Sequence, residues 1–140
     1  MKILNAAFLI VLVVISVISV NAQTSEKSKS ANSEGENIQV YYFHFTKRCV
    51  TCNAVEKETK TALESFYADK LKRGEIGFTS LNLDEDDGKD VAKTLAVSGQ
   101  TLMVVKGNTK VNLTNEGFMN ARANPAKFQD IIKTQIDKLL

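Results

Sequence analysis

The sequence predicts an α/β fold, a central mixed four-stranded sheet flanked by helices, and three observations lead to it. Apolar runs of strand length alternate with amphipathic runs of helical length. The first two strand-like runs are separated by a helix, so they should pair in parallel. Two later runs are joined by Gly107-Asn108, a hairpin turn that adds antiparallel strands to the same sheet.

Each element has its own local reason. Ile38 to Phe45 (IQVYYFHF) is apolar on both faces and rich in aromatics, as a buried central strand should be. Val50 to Arg73 carries Val55, Thr59, Ala62, Leu63, Phe66 and Leu71 at a helical period, and Gly74 is a natural stop. Ile76 to Leu83 alternates as a second strand. Asp84 to Gly88 reads as a polar turn before a short helix from about Lys89 to Ala96. Thr101 to Lys106 is the third strand, and Lys110 to Leu113 the fourth. The last helix begins at Asn124-Pro125, a capping residue followed by proline at the first helical position, with Phe128, Ile131, Ile132, Ile136 and Leu139 on its apolar face. Met103, Met119, Phe66, Phe118 and Phe128 are expected in or near the core.

Ahead of this domain, 38–140, lie two segments of different character. Lys2 precedes an apolar stretch from Ala6 to Val20, with small residues around Ala22. That pattern is a secretory signal over 1–22, cleaved after Ala22; an uncleaved single-span anchor is the alternative. No cysteine lies near the cleavage point, so lipid attachment there is excluded. Residues 23–37 (QTSEKSKSANSEGEN) hold no large apolar side chain, and the expectation is a disordered linker. Cleavage would remove Lys2 and leave 17 basic against 16 acidic residues. With no basic stripe interleaved with aromatics, nucleic acid is not an expected partner. About 100 residues remain, enough for one domain and not for two.

The chain has two cysteines, Cys49 and Cys52, separated by Val50-Thr51 at the junction of the first strand and the long helix. Helix N-terminal N–H groups stabilise negative charge, so a thiol there ionises more readily than a free one. Outside the cytosol a cysteine pair tends to be an oxidised structural staple. A ring this small, however, removes little entropy from the unfolded chain, because loop-closure stabilisation grows with loop length. A working dithiol is the better reading. Cys49 would attack as thiolate, or be attacked as half of the disulfide, and Cys52, one turn inward, would resolve the mixed disulfide. Lys47 and Arg48 precede the nucleophile, and their charge would lower its pKa further; an ordinary solvated loop is the other reading. His44 could shuttle a proton, or join Cys49 and Cys52 around a metal, but a lone histidine in an apolar strand is more often a hydrogen-bonded core residue. One histidine and two cysteines do not close a tetrahedral zinc site, so no metal is expected. The acidic run Asp84 to Asp87 lacks the glycine register and closing glutamate of a calcium loop, and Asn112-Leu113-Thr114 is a glycosylation triplet at chance frequency.

The order of elements and the strand–CxxC–helix start resemble the thioredoxin superfamily. Leu81-Asn82-Leu83-Asp84-Glu85 with Asp90-Val91-Ala92-Lys93 resembles the segment after that family's second strand. Gln100 to Asn108 (QTLMVVKGN) resembles its third strand and hairpin. Around the thiols, Cys49-Val50-Thr51-Cys52 with Glu56-Lys57 and Thr59 is similar to the thioredoxin-like C-terminal domain of the electron transporter DsbD. The run Tyr41 to Cys52 (YYFHFTKRCVTC) also resembles small exported proteins grouped as the ArsF family.

These resemblances imply a thioredoxin-like fold, a periplasmic thiol–disulfide oxidoreductase acting on protein thiols or disulfides as a monomer without a bound cofactor, and a membrane electron donor of the DsbD type. They also expose departures. The family's cis-proline facing the dithiol is replaced by Gln100, next to Thr101, which brings both residues into the candidate site. The family's buried aspartate falls on Phe43 and its lysine partner near Ser80, so the usual internal proton acceptor is missing. With no histidine between the cysteines, the pair should be less oxidising than the DsbA type, at about −120 mV. A reductant or electron carrier is therefore expected. The rival is a non-catalytic module of the same fold that binds a metal ion or one dedicated enzyme.

Overall fold

The computed structural model describes residues 37–140. The predicted signal, 1–22, and the predicted linker up to residue 36 lie outside the described residues. The chain runs β1 (Ile38–His44), α1 (Val50–Lys72), β2 (Ile76–Asn82), α2 (Asp86–Leu95), β3 (Thr101–Lys106), β4 (Thr109–Asn112), α3 (Thr114–Asn120) and α4 (Pro125–Asp137). The sheet order is β2-β1-β3-β4. β1 pairs with β2 in parallel, Tyr42 opposite Ser80, and with β3 antiparallel, Phe43 opposite Thr101. β3 and β4 form the expected hairpin, with Gly107 at φ 53° in the turn. Among the described residues no helix is long and apolar enough to cross a membrane.

One apolar core organises the domain. Ile38, Val40 and Tyr42, alternate residues of β1, pack with Leu102 and Val104 of β3 beneath Val55, Ala62 and Leu63 of α1 and Phe128, Ile132 and Ile136 of α4. Burial of side chains this size contributes about 1.5–3 kcal/mol each, which makes this layer the main source of stability. Phe43 points the other way and is fully buried too, so both faces of β1 are covered, as apolar residues on both faces required. Ala92 of α2 is buried outside the main core, and α2 packs on β2, covering the second face.

The structure corrects four details. α2 begins at Asp86 rather than near Lys89: the supposed polar turn supplies Asp86 and Asp87 to its first turn, where acidic side chains suit the helix dipole. α3 was not foreseen. It is one short helix, held by the Thr114 hydroxyl, which accepts the Leu102 N–H at 3.0 Å. Phe118 and Met119 lie on it and are exposed, not near-core, because Gly117 is the residue α3 turns inward, against Val55 and Phe128. Phe66 is also half out of the core. Tyr67 takes the inward position, where α1 departs from helical geometry (φ −136°, ψ 25°), and its hydroxyl lies 2.6 Å from Asp137 Oδ1 and 3.0 Å from the Lys133 carbonyl oxygen. Those bonds fasten α4 to α1.

Two helical glycines separate conformational preference from space. Replacing a helix-interior glycine with alanine gains up to about 1 kcal/mol in propensity. At Gly117 the new Cβ would stand 3.1 Å from Val55 Cγ1, a side chain that can give way, so Gly117→Ala should be nearly neutral. At Gly88 it would overlap the backbone carbonyl of Asn82, which cannot move without disturbing β2. Gly88→Ala should therefore cost about 2 kcal/mol net. Urea unfolding midpoints at unchanged m-value measure both, and equal midpoints would contradict this packing of α2 on β2.

Candidate functional site: the Cys49–Cys52 disulfide

β1 ends at His44, and five residues carry the chain to α1. Thr46 fixes that connection. Its N–H donates to Asp84 Oδ2 at 2.8 Å, and its hydroxyl oxygen accepts from Asn82 Nδ2 at 2.9 Å. The β2–α2 loop thus holds the segment that leads into the cysteines. Hydrogen bonding from Thr46, its backbone N–H first, keeps the Asp84 carboxyl below its ordinary range.

Cys49 occupies the N-cap of α1 in extended geometry (φ −79°, ψ 164°), a place usually taken by serine, threonine, aspartate or asparagine. Its sulfur accepts the Cys52 N–H at 3.1 Å. The two sulfurs form a disulfide with a Cα–Cα distance of 5.1 Å. Cys49 is exposed, whereas Cys52 retains 4% of its surface. The pair is therefore asymmetric: one sulfur can be reached from solvent and the other lies behind it.

A polar network missed by the sequence reading backs the pair. The Tyr42 hydroxyl donates to the Cys52 carbonyl at 2.9 Å and accepts from Gln100 Nε2 at 3.0 Å. Burial, partly offset by the Gln100 hydrogen bond and the nearby Arg48 cation, raises the Tyr42 pKa and keeps the phenol protonated. The Arg48 guanidinium turns inward, 5.4 Å from the centre of the Tyr42 ring, and its Nη2 lies 2.5 Å from Glu56 Oε2. Lys60 Nζ holds the other Glu56 oxygen at 2.7 Å. Burial alone would raise the Glu56 carboxyl, but Lys60 and Arg48 outweigh it and hold it below the ordinary range. The signal for Glu56 was its place one turn after Cys52 at i+4 spacing. Tyr42 carried none beyond its apolar context.

The remaining predicted residues fall into place around this network. Lys47 is exposed, and Arg48 gives its charge to Glu56, so the two cations do not act alike on Cys49. His44 is half-buried, its Nδ1 3.0 Å from the Phe45 carbonyl, its ring centre 5.9 Å from that of Tyr42. Among the described residues no group of three or more His, Cys, Asp and Glu side chains is placed to hold a metal ion, and Cys49 and Cys52 are joined to each other. Gln100 precedes β3 with a trans peptide bond; the described backbone has no cis bond. Its amide is spent on Tyr42, and the Thr101 hydroxyl donates to the Gly99 carbonyl at 2.9 Å. Neither Phe43, which is fully buried, nor Ser80 carries a group that takes up a proton at neutral pH. The Ser80 hydroxyl is buried without a hydrogen-bond partner among the described residues.

The Asp84 bond has a defined pH signature. Its folded-state pKa is lowered, so the tether is fully present above the ordinary aspartate value of about 3.9 and fades as pH falls through the lower folded value. Asp84→Ala should speed exchange of the Thr46 amide about tenfold at pH 7, the effect of one hydrogen bond to a charged acceptor. Parent and variant should converge in strong acid. Equal Thr46 protection at pH 7 would remove the tether from this account.

No protein-family model matches the sequence, and no curated protein sequence matches it. Solved structures do. Thioredoxin O2 of Arabidopsis thaliana in its oxidized state is 17% identical, with a TM-score of 0.49 over 71% of this chain and 75% of that one. Fasciola hepatica thioredoxin is 16% identical, with a TM-score of 0.47 over 72% and 83%. Trxlp from Edwardsiella tarda is 18% identical, with a TM-score of 0.47 over 71% and 84%. The strand order, the mixed pairing and the CxxC pair at the head of the long helix make the fold of this chain thioredoxin-like.

Proposed function

We propose that this protein is an exported thiol–disulfide oxidoreductase that works as a reductant or electron carrier through Cys49 and Cys52. The observation that carries the proposal is the asymmetry of the disulfide. An exposed sulfur sits at a helix N-terminus with an N–H aimed at it, and its partner is buried one turn inward. In the reduced protein the Cys49 thiolate attacks a partner's disulfide sulfur, one partner thiolate leaves, and a mixed disulfide forms. Cys52 then attacks Cys49 Sγ, the second partner sulfur leaves as thiolate, and the Cys49–Cys52 bond is restored. Two electrons pass to the partner, and the leaving thiolates take up protons.

Two features favour the reducing direction. Neither Val50 nor Thr51 can stabilise a thiolate by charge, and Arg48 is engaged by Glu56. A less stabilised thiolate makes a less oxidising pair. Protein thiols or disulfides are the partner class: Val50, 69% exposed beside Cys49, and Phe45, 42% exposed, offer apolar contact rather than a closed pocket. Export rests on the signal-like segment 1–22, and the periplasm is the compartment it implies. Electrons would come from a membrane donor of the kind the DsbD resemblance suggests, and the protein would act as a monomer without a bound cofactor. The ArsF resemblance supports a narrower variant, in which the dithiol serves one dedicated enzyme.

A second reading has one observation in its favour. Gln100 stands in trans form at the edge where thioredoxins present a cis-proline, so a module that binds a partner without turning over disulfides remains a rival. Cysteine variants decide between them. Cys49→Ser should abolish reduction of a protein disulfide, and Cys52→Ser should accumulate mixed disulfides with partner proteins, seen on non-reducing gels. Equal activity in the two variants would reject the exchange mechanism.

A further inference from the structure

Two hydrogen bonds in series run from the loop ahead of β3 to the buried cysteine, and their direction is fixed by chemistry. The Cys52 carbonyl can only accept, so the Tyr42 hydroxyl spends its one proton there. With that proton committed, the Tyr42 oxygen can only accept from Gln100, which requires the amide nitrogen, not the amide oxygen, to face it. Tyr42 itself is fully buried on β1, so the chain of bonds is anchored on a strand covered on both faces.

We propose that Gln100 and Tyr42 are positioning residues for the resolving cysteine, holding Cys52 in register with Cys49 when the disulfide is open. The inference rests on the exchange mechanism above. In the oxidised protein the covalent bond holds the first turn of α1. Once a mixed disulfide forms on Cys49, that bond is gone. Beyond the backbone bonds of α1 itself, the ties on Cys52 are its N–H to Cys49 Sγ and the Tyr42 hydroxyl on its carbonyl. The second of these does not depend on the redox state of either sulfur. It keeps the Cys52 sulfur within reach of Cys49 Sγ, which matters for resolution and not for the first attack. Gln100 thereby does in this chain something its place ahead of β3 does not suggest: it braces the dithiol turn through Tyr42.

The two steps can be timed separately. When the reduced full chain meets 5,5′-dithiobis(2-nitrobenzoate), attack by Cys49 releases one thionitrobenzoate, and resolution by Cys52 releases the second. Tyr42→Phe keeps the ring and loses the hydroxyl; Gln100→Met keeps the length and loses the donor. Each should slow the second release about fivefold, the effect of one ordinary hydrogen bond, and leave the first within about twofold. The double variant should be no slower than Tyr42→Phe, since both act on one chain of bonds. Equal slowing of both releases would show a general loosening of the site and overturn the proposal, as would no change in either variant. A parent protein that releases only one equivalent would overturn the exchange mechanism itself, which the variants alone would not do.

Discussion

The site depends on one interaction: the sulfur of Cys49 caps the longest helix. A helix start leaves N–H groups without partners, and here one of them is satisfied by a side chain that can also carry charge. Oxidised, the sulfur accepts a neutral hydrogen bond. As a thiolate it would accept a stronger one, in the field of the same helix. The cap therefore links folding to reactivity at a single atom. What surrounds it serves to hold that atom in place: Asp84 and Asn82 pin Thr46 on one side, and Tyr42 grips the Cys52 carbonyl on the other.

Of the two cations just ahead of the dithiol, one is paired rather than free. Arg48 is next to Cys49 in sequence, yet its guanidinium lies against the Tyr42 ring and pairs with Glu56, which Lys60 also holds. A cation whose counter-ion is 2.5 Å away contributes far less at a distance than a free one. The same pairing makes Glu56 a poor proton acceptor, because two cations favour its ionised form.

Much of the fold was legible in the residues. The largely apolar, aromatic-rich β1 run, the helical period from Val55 to Leu71, the Gly107 turn and the Asn124-Pro125 helix start each carry a local signal strong enough to stand alone, and the parallel and antiparallel pairings follow from their order. The cysteine spacing likewise placed the disulfide at the helix start. What stayed hidden depends on tertiary context. α3 is seven residues long, contains Gly117 and has an apolar N-cap residue, Leu113, with only Asn112 Oδ1 accepting its first N–H; Leu102, Val55 and Phe128 meet it from the rest of the fold. Arg48 read either as a cation lowering the Cys49 pKa or as part of an ordinary solvated loop, because its partner Glu56 is eight positions away. Tyr42 read as one more apolar strand residue, since the sequence does not show where a hydroxyl at the end of a buried ring will emerge.

The central claim is that Cys49 and Cys52 form a reducing dithiol with an exposed attacking sulfur. The measurement that meets it most directly is the equilibrium reduction potential of the pair, titrated against dithiothreitol or glutathione in metal-free protein. A value near about −270 mV, as in thioredoxin, is the result this account predicts. A value near about −120 mV would contradict it, because the protein would then oxidise exported partners rather than reduce them.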